Sequence, residues 1–258
     1  RDLHVRSRRQ RQMCIRDREK ITVILNCYKR PEYLKEQVEA ILNQSIPPED
    51  IMVWSNKPEE GQQFNLDELG VKVAYSNTNL KFHARFAYGL LAKSKYVAFF
   101  DDDTIPGKDW FKSCLACMEH GNYILGTAGV RLEGEGYDPN KKIGWNGYQS
   151  NQLELVDLVG HAWFMKRDTL KYLWQEDPIS WENGEDIQLS AFAYMHGGIE
   201  TAVPPHPGNR PEIWGSISGY DKGNDQQASH WKSNHAPLRN DICNKLSDKG
   251  YQRVLKRK

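Results

Sequence analysis

The chain has 258 residues, 39% of them hydrophobic and 27% charged, which is ordinary for a soluble globular protein and enough for one self-sufficient core. No apolar run approaches the roughly 18–20 residues of a membrane helix, so no membrane segment is expected in this chain. The net charge of +1 conceals seven Arg and two Asp within residues 1–18; of the 35 basic and 34 acidic residues, 28 and 32 then remain for 19–258, and no nucleic-acid partner is expected of that acidic remainder.

Gln12-Met13-Cys14-Ile15-Arg16-Asp17-Arg18 resembles the translation of a transposon-end sequencing adapter, and residues 1–18 are expected to be non-native or disordered and to stand outside the fold. Five scattered cysteines, Cys14, Cys27, Cys114, Cys117 and Cys243, argue against a disulfide framework and for a reducing, cytoplasmic compartment. Residues 19–258 read as a single domain with a first half, 19–105, and a second half, 106–258.

Ile21–Leu25 is a β-branched run of the kind that forms a buried parallel strand. Arg30-Pro31 opens a helix on which Tyr33, Leu34, Val38, Ile41 and Leu42 recur at helical spacing, and Pro47-Pro48 ends it. Ile51–Trp54 and Val71–Tyr75 read as further strands, 82–92 as a helix, and Tyr96–Phe100 as a fourth strand running into Asp101. This alternation predicts an α/β fold with a mostly parallel central sheet and helices on both faces. Ligands of such sheets bind beyond the carboxyl ends of the strands, which brings Asn26, Ser55-Asn56 and Asp101–Asp103 to one rim. In the second half, 133–152 reads as a long loop, 155–164 as a strand interrupted at Gly160, 186–196 as a helix, and 203–238 as irregular.

Three aspartates in a row at the end of an apolar strand repel one another and need a counter-charge. A divalent cation that prefers oxygen, Mn²⁺ or Mg²⁺, supplies it and leaves room for phosphates. Cys114-x-x-Cys117 with His120 has no fourth ligand at zinc spacing and reads as buried small residues. His206, His230 and His235 are candidates to complete the metal site, His206 first. Trp163, Trp181, Trp214 and Trp231 are candidate aromatic faces on which a ligand ring could stack, against core packing.

The order of these segments resembles the nucleotide-diphospho-sugar glycosyltransferases of the GT-A fold. Phe99-Phe100-Asp101-Asp102-Asp103-Thr104 matches their strand and DxD motif, Ile24–Pro31 their first strand and nucleotide loop, Gly160–Phe164 their acceptor-side strand, and Gly184-Glu185-Asp186-Ile187 the acidic start of their catalytic helix. The likeness covers about residues 21–200 and is to family 2-like enzymes, with exostosin-type family 64-like features in Trp54-Ser55-Asn56, Arg85, and Arg239 before Asp241–Lys245.

The resemblance implies transfer of a sugar from a nucleotide-diphosphate donor, UDP being the commonest, to an unknown glycan or other hydroxyl acceptor. The irregular C-terminal region would bind the acceptor. Asp103, with Asp101 and His206, would hold the metal; Asn26, Arg30, Asn56, Arg85, Asp101 and Asp102 would bind the donor. Asp186, or Glu185, would act as base, and His161, Trp163 and Trp214 would meet the acceptor. A dehalogenase-like phosphatase is disfavoured by Ile105 in place of Thr or Val, and a sugar-nucleotide nucleotidyltransferase by the lack of Gly in Asn26–Pro31. A non-catalytic carbohydrate-binding relic would have no need of both acidic clusters in one cleft.

Overall fold

The computed structural model describes residues 20–59, 64–144, 148–218, 222 and 233–257. The adapter-like segment, His230 and Trp231 lie outside these residues. The described strands are β1 (Ile21–Cys27), β2 (Asp50–Ser55), β3 (Lys72–Tyr75), β4 (Tyr96–Phe100), β5 (Tyr123–Leu132), β6 (Asn140–Ile143), β7 (Glu154–Val156), β8 (Leu158–Lys166) and β9 (Glu200–Val203). They form one sheet in the order β3-β2-β1-β4-β8-β5-β9-β7, with β6 on β5. β3, β2, β1 and β4 pair in parallel, β8 enters antiparallel between β4 and β5, and β9 lies parallel to β5. The sheet is thus mostly parallel, as the fold class expected of the sequence requires.

Strand alternation divides the core into two layers. Val23, Leu25, Ala98 and Phe100 face one side, where Leu34, Val38 and Ile41 of the helix Leu34–Leu42 and Phe111 and Leu115 of the helix Trp110–Met118 cover them. Ile24, Val97 and Phe99 face the other, with Phe86 of the helix His83–Gly89 and Leu189 and Ala193 of the helix Glu185–Gly197. Phe86 packs on Phe99 at 4.7 Å and edge-on to Trp163 at 5.7 Å between centroids. Burying each such ring contributes roughly 2–3 kcal/mol. Gly89 permits this approach, because a Cβ there would stand 2.6 Å from the Phe99 ring.

Three expectations need correction. The interruption expected at Gly160 falls instead at Asp157, between β7 and β8, and the unusual backbone lies at His161, whose φ is 63°. The 133–152 stretch contains β6, which pairs with β5 through Gly129↔Ile143 to Leu132↔Asn140. Within 203–238, helix begins at His235 and runs to Asp248, burying Arg239, Ile242, Cys243 and Leu246. No helix among the described residues is long and apolar enough to cross a membrane. Cys27, Cys114, Cys117 and Cys243 are buried free thiols.

Candidate active site

β4 delivers Asp101 to the carboxyl end of the parallel strands, and the turn after it is held by the fold rather than by its own side chains. Gln37 Nε2 donates to the carbonyls of Asp101 (2.7 Å) and Thr104 (2.8 Å), and Ser218 Oγ donates to that of Asp103 (2.9 Å). With the backbone anchored this way, three carboxylates are presented to one another and to fixed cations.

The pairing Phe100↔Ala162 puts His161 of β8 beside Asp101, whose N–H donates to the His161 carbonyl at 2.9 Å. Its ring Nδ1 is 3.9 Å from both Asp101 Oδ2 and Asp103 Oδ1. Ligand atoms of Asp101, Asp103 and His161 all lie within 4.8 Å of one another. The left-handed backbone at His161 costs on the order of 1–3 kcal/mol in a residue with a Cβ, and such strain concentrates at functional positions. Burial opposes charge on His161, but the bond to Asp103 and the Asp101 and Asp103 charges together raise its pKa above the ordinary value. Sequence reasoning set His161 on the acceptor side and His206 on the metal; here His161 joins the aspartates and His206 does not.

Arg30 answers the other side of the cluster. Its Nη1 lies 2.9 Å from Asp102 Oδ1 and 3.6 Å from Asp103 Oδ2. Burial, with Asp103 adding to it and Arg30 opposing, still pushes the Asp102 carboxyl up to about 6. Loss of solvation, rather than lack of a cation, is what lifts Asp102.

Arg85, 3% exposed, joins the two acidic motifs: one Nη bonds Asp101 and the other lies 3.2 Å from Glu185 Oε1. Its guanidinium stands over the Trp163 ring at 4.6 Å. Trp163 is accordingly buried beneath Arg85 and presents no face to an acceptor, which corrects that expectation. Glu185 is pushed up to about 7 by burial and by Asp186, with Arg85 opposing.

Gly184, at φ 87°, makes the turn into the helix Glu185–Gly197 that only a residue without Cβ takes easily. Asp186 then receives both forks of Arg239, at 3.1 and 2.7 Å, and its Oδ1 accepts from the Ile187 N–H at 2.9 Å. Arg239 is a site residue that composition and spacing do not reveal; its family-like segment was the available signal. Gln37, Ser218 and His83 had no signal at all.

Asn56 is buried and fully engaged. Its Oδ1 accepts from Trp54 Nε1 (3.0 Å) and Leu80 N–H (3.1 Å), while its Nδ2 lies 3.4 Å from Asn26 Oδ1 and from the Lys81 carbonyl. It braces Asn26, which is the more exposed of the two at the end of β1.

His206 stacks on Trp214 at 4.5 Å and 13°, and Trp214 Nε1 donates to the Pro207 carbonyl at 2.9 Å. Burial pushes His206 down to about 4 from an ordinary 6.5. A histidine kept neutral by the fold contributes stability that is complete above about pH 6.5 and is lost as the pH falls toward 4. His206→Phe, which keeps the stack, is expected to recover roughly 3 kcal/mol of the stability lost by pH 4. Denaturant titrations at pH 7 and pH 4 check this, and equal pH sensitivity of the two proteins would contradict it.

The Glycosyl transferase family 2 model matches residues 22–174. No curated protein matches the chain. S. aureus TarS superposes with a TM-score of 0.54 at 19% identity, covering 72% of this chain and 35% of its own. The mannosyltransferase PcManGT from Pyrobaculum calidifontis, solved with GDP-Man and Mn²⁺, gives 0.53 at 14% identity over 73% of this chain and 55% of its own. Glucosyl-3-phosphoglycerate synthase from Mycobacterium tuberculosis, solved with Mn²⁺, UDP and glucosyl-3-phosphoglycerate, gives 0.50 at 13% over 73% and 70%. At these identities the likeness is one of fold, and the chain spans little more than half of PcManGT and about a third of TarS. Since the family model takes in more than half of the 258 residues, the chain belongs to glycosyltransferase family 2, and its mixed α/β sheet is that of the GT-A fold.

Proposed function

We propose that the chain transfers a sugar from a nucleoside-diphosphate donor, UDP in the first instance, to an acceptor hydroxyl, and that it requires a divalent metal. The observation that carries this reading is the convergence of Asp101, Asp103 and His161 at the end of β4, tied through Arg85 to Glu185 and its neighbour Asp186. The donor set is two carboxylates and an imidazole, which suits Mn²⁺ better than Mg²⁺ with its preference for oxygen. Held by Asp101, Asp103 and His161, a divalent metal would supply positive charge to offset that of a departing diphosphate.

The chain's own residues do the rest. Asn26, braced by Asn56, contacts the base or ribose, and Asp102 lies beside Arg30 where the ribose passes. Arg30 and Arg85 hold the three aspartates in place against their mutual repulsion. Asp186 removes the acceptor's proton: Arg239 orients both of its oxygens and leaves one lone pair, on Oδ2, for the hydroxyl. Glu185 is a positioning residue, fixing Arg85. One arginine spanning both acidic motifs supports a catalytic site over a sugar-binding relic, which has no need to couple them. UDP, GDP-Man, UDP-GlcNAc and Mn²⁺ in the solved relatives support the donor class.

The test is calorimetric titration of UDP with Mn²⁺ and with EDTA, on the parent chain and on Asp103→Ala. Binding that needs Mn²⁺ and weakens at least about tenfold in the variant is expected. Absence of binding by UDP, GDP, CDP and TDP in the presence of metal would overturn the reading.

A further inference from the structure

We propose that Trp181 is the stacking platform for the acceptor and that the acceptor presents a pyranose ring there, making it a glycan or glycoside; this rests on the transferase reading above. Trp110 and Trp163 are buried, and Trp214 lies against His206, whereas Trp181 stands 57% exposed. Among the described tryptophans it is the one that stands exposed, which leaves its ring open to a partner. Mobility is a poor account of it, because the chain around Trp181 is tied down at several points. Glu182 pairs with Lys81, Asn183 Oδ1 accepts from Arg239 at 3.0 Å, and Ile179 N–H donates to Gln188 Oε1 at 2.7 Å.

The indole rests on His83 at 5.0 Å, with Trp174 at 6.4 Å behind it. His83 is 1% exposed and neither ring nitrogen has a hydrogen-bond partner. Leaving two polar atoms unsatisfied is a penalty that a purely structural contact gives no reason to keep. Burial, reinforced by Arg85 and opposed by Asp186, pushes His83 down to about 4, so the ring under Trp181 stays neutral.

The position also fits. His83 precedes by two residues Arg85, which holds Asp101 and Glu185, and Arg239 holds both Asn183 of this loop and Asp186. Trp181 therefore shares its supports with the proposed base. An exposed apolar plane five residues before the proposed base in the chain matches a sugar ring, whose axial C–H face packs on an aromatic ring while its rim hydroxyls remain free to react.

The experiment uses saturation-transfer NMR with UDP and Mn²⁺ present and methyl β-glucopyranoside, methyl β-galactopyranoside, methyl α-mannopyranoside and methyl N-acetyl-β-glucosaminide as probes. At least one is expected to bind saturably, to weaken about tenfold or more in Trp181→Ala, and to keep most of its affinity in Trp181→Phe, with UDP affinity unchanged in both variants. If UDP binds the parent with Mn²⁺ but no pyranoside does, or Trp181→Ala binds as well as the parent, the platform is overturned and the transferase reading stands. Loss of UDP binding in Trp181→Ala would make the indole a structural prop and likewise overturn the platform. If GDP, CDP or TDP binds in place of UDP, the same titrations are run with that nucleotide; failure of all four to bind the parent with Mn²⁺ overturns both.

Discussion

Asp186→Asn is expected to lower kcat by roughly 10²–10⁴-fold while UDP affinity in the presence of Mn²⁺ stays within about twofold. The substitution keeps the side chain's shape and one oxygen for the Ile187 N–H, so the helix start survives. It removes the carboxylate that Arg239 aligns and with it the group able to take a proton from an attacking hydroxyl. Glu185→Asn cannot mimic this result. Glu185 acts through Arg85 on Asp101, so its loss should raise the donor's dissociation constant together with lowering kcat. Steady-state kinetics on the two variants, with calorimetry for UDP, separate the roles. A kcat for Asp186→Asn within about tenfold of the parent would remove it as the base.

Arg85→Met is expected to destabilise the chain by about 3–5 kcal/mol, read from denaturant melts at neutral pH. Methionine fills much of the volume over Trp163 and Phe86, so the loss reports charge rather than a cavity. The Asp101 and Glu185 carboxylates would then lie beside each other without their shared cation. Added Mn²⁺ should restore part of the stability, because it neutralises the aspartates but not Glu185. A variant as stable as the parent would show that the acidic motifs do not depend on this arginine.

The first half of the fold was legible because it announces itself locally. Ile21–Leu25 and Tyr96–Phe100 are short apolar runs with no polar face, and each is buried on both sides of the sheet. The aspartates follow β4 directly, so their place on the rim came with the strand. The second half was harder because its partners are chosen at long range. Nothing in 158–166 says that this strand inserts antiparallel beside β4, yet that register alone carries His161 to Asp101 and Trp163 into the core under Arg85. The helix His235–Asp248 was obscured by its own composition: only one narrow stripe is apolar, and its most consequential residue, Arg239, is a buried cation. Reading Asn56 as a direct donor contact was natural from its position at the end of β2, but the Trp54 and Leu80 donors that occupy it come from the tertiary fold.

The insertion of β8 has a consequence for how the chain must be made. β4 is flanked by β1, which precedes it, and by β8, which leaves the ribosome only after β5, β6 and β7. Until then Tyr96–Phe100, every one of them buried in the finished protein, forms a bare edge whose N–H and C=O groups invite strands from neighbouring chains. Nascent chains released before Lys166 are therefore the aggregation-prone species, and a stop codon placed after the aspartates would leave a fragment whose β4 edge stays bare. The edge of β4 is covered at the far end of β8, not at the aspartates, and the second face of the sheet only when Leu189 and Ala193 of the helix Glu185–Gly197 have followed.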